Sequence, residues 1–236
     1  MQVCPGFIGR AGTRGTIIHK NTDNMKKVFL ILTIALICLN NAEAKKIIGY
    51  YISKTNDTLT VTFNVPIKFF SQKPDYERLQ QKIKCYDSTN QKKILKPDMA
   101  NEIIFDYEGE KIRMLSRQNN LDLISSVFTV NNSLFLKLIK DGKIKLFKYY
   151  KTNNSPGMYN ASSGMTTGAG SYSYSVETYI MQKGNDELFK TRWLSFRKDM
   201  VNYLSDCPDV AKKIEDKIYR SDDIMQIIDE YNRSCK

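Results

Sequence analysis

The clearest pattern in the sequence is an alternation of apolar and polar side chains near residue 60. In residues 58–65 every second side chain is apolar: Leu59, Val61, Phe63 and Val65. This period of two predicts a strand with one buried and one solvated face. Residues 47–53 have the composition of a partner strand, and Lys54-Thr55-Asn56-Asp57 supplies the loop of a hairpin.

Two further hairpins can be placed in register from their turns. In residues 103–114, a two-residue turn at Glu108-Gly109 puts the apolar side chains on one face: Ile103, Phe105, Tyr107, Ile112 and Met114. In residues 134–149, a three-residue loop at Lys140-Asp141-Gly142 pairs Leu138 with Ile144. The same loop places five apolar side chains on one face of the hairpin: Leu134, Leu136, Leu138, Ile144 and Leu146. A two-residue turn there would mix Lys and Leu on both faces, so the three-residue loop is preferred.

The composition changes at residues 152–173, which are rich in Ser, Gly, Thr and Asn and have no period. Such a segment predicts a long mobile loop between strands. Residues 174–182 and 187–193 after it are expected to form a further hairpin around Gly184-Asn185. From Leu194 onward the period becomes helical. The apolar stripes are Phe196, Met200, Tyr203 and Leu204, then Val210, Ile214 and Ile218, then Ile224, Ile227, Ile228 and Tyr231.

These patterns predict an α+β fold that is mainly β. We expect a curved antiparallel sheet or small barrel of about eight to ten strands, formed by residues 45–193. Two or three C-terminal helices would form a tail, residues 194–236, that packs on the sheet.

Residues 25–44 contain the three parts of a secretory signal peptide. Met25-Lys26-Lys27 is a basic start, residues 28–39 are an apolar run, and Ala42-Glu43-Ala44 supplies a cleavage site. The run is too short for a transmembrane anchor, which needs about 20 residues. We expect cleavage after Ala44, and no transmembrane helix in the mature chain. Lipid attachment at Cys38 is the alternative, and residues 1–24 would be a disordered leader or the product of an upstream start.

Processing changes the charge of the protein. The full chain has 36 Lys and Arg, 25 Asp and Glu and one His, for a formal charge of +11. Without residues 1–44 the charge is +8 and no His remains. The segment from residue 207 to the end is nearly neutral, so the excess lies in the β-rich body. A chain without His lacks the commonest general base and metal ligand, so no metal and no cofactor are expected.

Three cysteines remain in the mature chain. Cys207 enters the first helix of a helical hairpin and Cys235 leaves the second, so the two sulfurs can meet at its open end. A disulfide suits an exported protein, and two unpaired thiols are the alternative. Cys85 is expected to be a buried strand residue, because a Cys nucleophile normally needs a His.

Two groups of residues are candidates for hydrolysis without histidine. Ser195-Phe196-Arg197-Lys198 matches S-x-x-K, in which Lys activates Ser one helical turn away, although the companion motifs of that enzyme class are absent. A carboxylate pair for glycoside hydrolysis would come from five acidic residues: Asp98, Glu102, Asp106, Glu108 and Glu110. Most of these are better interpreted as the solvent face and turn of a hairpin, so no catalytic residue is assigned.

The strands around residues 134–151 are rich in lysine: Lys137, Lys140, Lys143, Lys145, Lys148 and Lys151. Together with neighbouring tyrosines they would suit an anionic polymer. A solvated outer face that discourages edge pairing is the simpler interpretation, and no specific nucleic acid is expected.

The leading hypothesis is a non-enzymatic exported or envelope protein that binds a ligand or partner. Its contact region would be the 152–173 loop with nearby tyrosines: Tyr149, Tyr150, Tyr172 and Tyr174. The alternatives are the histidine-free hydrolase and a basic surface protein that holds an anionic polymer.

Four stretches of the mature chain carry a resemblance. They are Lys46-Ile47-Ile48-Gly49-Tyr50-Tyr51-Ile52, Leu95-Lys96-Pro97-Asp98, Asp141-Gly142-Lys143-Ile144-Lys145-Leu146-Phe147 and Leu204-Ser205-Asp206-Cys207-Pro208. On these the chain resembles a broad group of exported proteins of Bacteroidota-type bacteria whose activity is uncharacterised. The resemblance implies export and a β-rich body with a short helical tail, and it brings no catalytic residues.

Overall fold

The computed structural model describes residues 44–68, 71–120, 133–154, 159–160, 165–166 and 173–235, together with Lys27. The strands are β1 (Ala44–Ser53), β2 (Thr58–Pro66), β3 (Ile83–Tyr86), β4 (Lys92–Leu95), β5 (Ala100–Tyr107), β6 (Glu110–Gln118), β7 (Ser133–Lys140), β8 (Ile144–Asn154), β9 (Tyr159–Asn160), β10 (Met165–Thr166) and β11 (Ser173–Lys183). Nine of them form one curved, unclosed antiparallel sheet in the order β11-β8-β7-β6-β5-β1-β2-β3-β4, while β9 and β10 pair separately.

The described helices are α1 (Tyr76–Gln81), α2 (Phe196–Tyr203), α3 (Pro208–Glu215) and α4 (Ile224–Ser234). Short 3-10 turns precede α2 and α4, at Trp193–Ser195 and Ser221–Asp223. None of the helices in the described ranges is long and apolar enough to cross a bilayer. The predicted α+β, mainly β class is therefore confirmed, and the sheet is open rather than closed into a small barrel.

The β5–β6 hairpin has the register that the sequence predicts. Phe105 lies opposite Ile112, and Tyr107 lies opposite Glu110. Glu108 and Gly109 both adopt positive φ, 51° and 83°, as a two-residue turn with matching twist requires. All five predicted apolar side chains are buried in one cluster with the β1–β4 end of the sheet.

The predicted register of the β7–β8 hairpin is wrong. Leu138 lies opposite Phe147 rather than Ile144, and a bulge between Leu138 and Lys140 shifts the pairing. Because Leu138 lies opposite Phe147, strand alternation puts Ile144 and Leu146 on the other face of the sheet. They pack there beneath the tail helices, whereas Leu134 and Leu136 belong to a separate cluster with Phe147.

At two positions of β8 that β7 does not reach, side-chain amides bond to the backbone in place of the neighbouring strand. The Ile144 N–H donates to Oδ1 of Asn232 at 2.8 Å, and Nδ2 of Asn232 donates to the Ile144 carbonyl at 3.0 Å. Six residues along, the Tyr150 N–H donates to Oε1 of Gln80 at 2.7 Å, and Nε2 of Gln80 donates to the Tyr150 carbonyl at 2.9 Å. We call these two arrangements amide clamps. Each satisfies a backbone donor and acceptor that would otherwise be unpaired in the interior.

The two segments around β11 differ from their prediction. Within the predicted 152–173 loop, β8 continues as far as Asn154 and two residue pairs form the β9–β10 ladder. β11 begins at Ser173, and the remaining loop residues lie outside the described part of the chain. On the far side, residues 187–193 do not form a full strand, because only Phe189 bridges to Met181 of β11. The chain then leaves the sheet before α2 begins.

The tail helices bury their predicted stripes against Ile144, Leu146 and Met181 of the sheet. Ile218 is the exception. It is 64% exposed, because α3 ends at Glu215 and the chain turns through Lys217 at a positive φ of 65°. Cys207 and Cys235 form a disulfide across the start of α3 and the end of α4, with 5.6 Å between their Cα atoms.

Asp206 ties the tail to the sheet. Its carboxylate accepts a hydrogen bond from Nζ of Lys183 at 2.8 Å and from the hydroxyl of Tyr231 at 2.5 Å. Burial disfavours the charged form of Asp206, but the two hydrogen bonds outweigh burial and hold its pKa below the usual value. Burial and the hydrogen bond to Asp206 raise the pKa of Tyr231 to about 12.

Asp206 should make the fold sensitive to acid. A carboxyl group with a lowered folded-state pKa stabilises the protein fully above its unfolded pKa of about 3.9, and this contribution is lost as the pH falls through the folded value. We expect wild type to lose more free energy of unfolding than Asp206→Asn between about pH 6 and about pH 3. Urea titrations at both pH values measure this difference. Equal pH dependence in the two proteins would show that Asp206 is not coupled to folding.

Candidate functional site

An open cleft with a cavity volume of about 650 Å³ lies among the tail elements. One wall is the turn that leads into α2, with Trp193 and Leu194 at its edge. The other wall is the connection after α3, with Tyr219 and Arg220. We call this the tail cleft, and we call Trp193 and Leu194 together the apolar tip.

The apolar tip is unusually exposed for such side chains. Trp193 is 81% exposed and Leu194 is 91% exposed. By contrast, the next apolar residue, Phe196, is buried and anchors the turn to the helical core. The tip therefore stands out from the core into solvent, an arrangement that often marks an interaction surface.

Asp199 holds the turn that presents the tip. Its Oδ2 accepts a hydrogen bond from the hydroxyl of Ser195 at 2.6 Å and from the backbone N–H of Arg192 at 3.5 Å, and Nε of Arg192 lies 3.6 Å away. These interactions, led by the Ser195 hydrogen bond, lower the pKa of Asp199. An ionised carboxylate therefore fixes both sides of the tip at neutral pH.

The opposite wall is held by a network between α3 and α4. The hydroxyl of Tyr219 donates to Glu230, which also accepts a hydrogen bond from Nζ of Lys213 at 2.8 Å. The hydrogen bond from Lys213 lowers the pKa of Glu230, so this carboxylate is charged as well. Hydrogen bonds to the ionised carboxylates of Asp199 and Glu230 thus hold the two walls of the tail cleft in place.

The rim of the cleft carries excess positive charge. Arg197, Lys198 and Arg220 line it together with a single carboxylate, Glu215. None of the three cations forms an ion pair within the described ranges, unlike Arg192, which pairs with Asp199. These cations are therefore available to a negatively charged group that approaches the cleft.

The S-x-x-K candidate lies in this cleft, but its two members are not coupled. Ser195 donates its hydroxyl hydrogen to Asp199, and Lys198 is exposed at the rim. Asp199 is itself a weak base because its pKa is lowered. The arrangement explains Ser195 as a residue that positions the turn.

The carboxylates considered for glycoside hydrolysis do not converge. Glu102 is buried against Arg113, whose Nε lies 2.5 Å from its Oε1, and Glu110 accepts from Nζ of Lys137 at 2.8 Å. Asp98, Asp106 and Glu108 are exposed. No group of three or more His, Cys, Asp or Glu side chains suited to a metal ion occurs in the described residues.

The lysines of β7, β8 and the turn between them bind other groups of the same chain. Lys137 binds Glu110, Lys140 binds Asp229, Lys145 binds Asp141, Lys148 binds Glu177 and Lys143 donates to the carbonyl of Cys235. Lys151 also interacts with another group of the protein. Lysines that were interpreted as a solvated outer face thus largely connect strands to each other and to the tail, which reduces the charge they offer to an anionic polymer.

The predicted tyrosine contact region is corrected by the structure. Tyr149 and Tyr150 are buried, and as consecutive strand residues they point to opposite faces of the sheet. Tyr150 stacks on Tyr76 of α1 at a centroid distance of 4.7 Å. Tyr174 is about half exposed, and Tyr172 lies outside the described residues. Tyr149 and Tyr150 therefore support the core instead of forming a shared surface with Tyr174.

Cys85 is a free, buried thiol, and burial raises its pKa. A second cavity of about 240 Å³ is lined mainly by polar residues of β6 and the β11 turn. Two of its amides are already used: Asn120 bonds to the backbone of Leu188, and Gln182 bonds to Arg117 and to the carbonyl of Asp186. Neither feature offers the combination of apolar surface and unpaired charge that the tail cleft has.

Sequence reasoning missed the tail cleft because residues 187–193 were interpreted as a strand. One signal was present: residues 188–198 contain four cations, no carboxylate and the single Trp of the chain. Comparisons with protein-family models, curated proteins and solved structures found no match. The site is therefore interpreted from its own geometry.

Proposed function

We propose that the protein is an exported, non-catalytic binding protein and that the tail cleft is its contact surface. The observation that carries this proposal is the exposure of Trp193 and Leu194, 81% and 91%, at the edge of a cationic cleft. Keeping two large apolar side chains in water forfeits about 1.5–3 kcal/mol each relative to burial. A partner that covers them would recover this free energy.

Export is supported by the sequence of residues 25–44 and by the nature of the tail. A disulfide such as Cys207–Cys235 persists mainly in oxidising compartments. Mass spectrometry of the protein recovered after secretion would identify its first residue. Cleavage after Ala44 predicts Lys45 there, whereas a lipid-modified Cys38 would identify a lipoprotein.

Removing the apolar tip should strongly weaken binding to the envelope. We expect Trp193→Ser combined with Leu194→Ser to reduce co-sedimentation with cell envelopes of the source organism by more than about tenfold, because the variant loses the burial free energy of both side chains. Both residues are exposed, so the fold should be unaffected.

The matched control is Ile48→Ser combined with Ile94→Ser, which removes two exposed apolar side chains from β1 and β4. This control should bind as wild type does. If the tip variant binds as strongly as wild type, the tail cleft is not the contact surface.

A further inference from the structure

The apolar tip projects into solvent, so it is better suited to insertion into another phase than to lining a pocket. Its two residues are consecutive on a 3-10 turn, and each leaves most of its surface in solvent. A ligand contained in the cleft would leave much of Leu194 uncovered. A soft apolar phase could cover both side chains without a complementary surface, and Trp favours the boundary between water and lipid.

Positive charge surrounds the tip closely along the chain. Lys190, Arg192, Arg197 and Lys198 flank it, and residues 188–198 contain no carboxylate. Arg192 is directed to Asp199, and the other three form no ion pair in the described part of the chain. Long Lys and Arg side chains can lie along an apolar surface while their charges remain in a headgroup layer.

We propose that the tail cleft docks on an anionic phospholipid bilayer, with Trp193 and Leu194 inserted at the interface and the flanking cations on lipid phosphates. This inference rests on the proposed function and names its partner. An acidic peptide would satisfy the charges as well. The exposure of consecutive Trp and Leu side chains favours the bilayer, because neither needs a shaped pocket there.

Trp193 reports this interaction directly, because it is the single Trp of the chain. The experiment titrates the purified, secreted protein with phosphatidylcholine vesicles, with phosphatidylcholine vesicles containing phosphatidylglycerol, and with polyglutamate. We expect a blue shift of Trp193 emission with the anionic vesicles alone, which added salt weakens.

Variants separate the two parts of the surface. Leu194→Ser should weaken vesicle binding by about tenfold, through lost apolar burial. Arg197→Gln combined with Lys198→Gln should weaken it by at least about tenfold, since each cation near an anionic membrane contributes measurably. The matched charge control is Lys84→Gln combined with Lys92→Gln, two exposed lysines of the β3–β4 ribbon. It should bind as wild type does.

Three outcomes would overturn the bilayer proposal: no shift with any vesicle, a shift that neither the Leu194 variant nor the Arg197 and Lys198 variant reduces, or a shift with polyglutamate and not with vesicles. The last identifies an acidic polymer as the occupant. If vesicles have no effect while envelope binding is retained by wild type and lost by the tip variant, the proposed function stands and only the lipid partner is wrong. If both assays are negative, both proposals fail.

Discussion

Replacing Gln80 with leucine is expected to lower the free energy of unfolding by about 3–4 kcal/mol. Gln80 is 2% exposed, and its amide bonds to both the N–H and the carbonyl of Tyr150. Leucine keeps the apolar packing of α1 but leaves both backbone groups buried without a partner. Each such group costs about 1–3 kcal/mol, so the loss of both partners accounts for the expected destabilisation.

Urea unfolding measures this loss, and Gln226→Leu is the matched control. Gln226 is exposed on α4, so the same chemical change there should alter stability by no more than about 0.5 kcal/mol. Hydrogen exchange adds a local readout, since the Tyr150 amide should exchange much faster in the Gln80 variant. A loss below about 1 kcal/mol, with the Tyr150 amide still protected, would show that the clamp does not stabilise the sheet.

Breaking the disulfide should have an effect of similar size. The bond joins residues separated by 28 positions, and in the chain-entropy model a loop of this length stabilises the folded state by about 3–4 kcal/mol. We expect Cys207→Ser combined with Cys235→Ser to lose about that amount in urea unfolding. The helices should still form at low denaturant concentration, because their apolar stripes pack on the sheet independently of the bond.

Reductant supplies the control for the disulfide. It should destabilise wild type by the same amount and leave the double variant unchanged, since the remaining thiol, Cys85, is already free. Wild type should also be lighter than its reduced form by two hydrogen atoms. Wild type that is insensitive to reductant would contradict the predicted stabilisation.

The sequence predicts those parts of the fold that depend on neighbouring residues. The β5–β6 register follows from one turn, because Glu108 and Gly109 can both take positive φ and the alternation on either side is clean. The β1–β2 hairpin and the helical stripes of the tail are similarly local. Leu59 is the partial exception in β2, since it lies near the strand end and is 43% exposed.

The β7–β8 region was predicted wrongly because its determinants are distant in sequence. The Ile144 backbone is completed by Asn232, 88 positions away, and Tyr150 by Gln80, 70 positions away. Side-chain amides at such separations leave no periodic signal. Both faces of β8 are also covered, which removes the alternation that would have separated Tyr149 from Tyr150.

The candidate site was missed for a related reason. Residues 187–193 have a strand-like composition, but a single bridge at Phe189 is all that joins them to β11 in the described structure. Apolar residues in a predicted strand are expected to be buried, whereas Trp193 follows the chain away from the sheet. The charge pattern of residues 188–198 indicated this segment. The exposure of Trp193 and Leu194 became visible only from the course of the chain in the folded structure.

The most direct test of the tail cleft as a contact surface is the emission of Trp193, measured in the free protein and after addition of cell envelopes. If the tail cleft is the contact surface, Trp193 in the free protein should show the emission of a solvated indole that acrylamide readily quenches. Envelopes should shift the emission to shorter wavelength and protect it from the quencher. Emission that is already protected in the free protein, or unchanged when the protein is bound, would show that the tail cleft is not the contact surface.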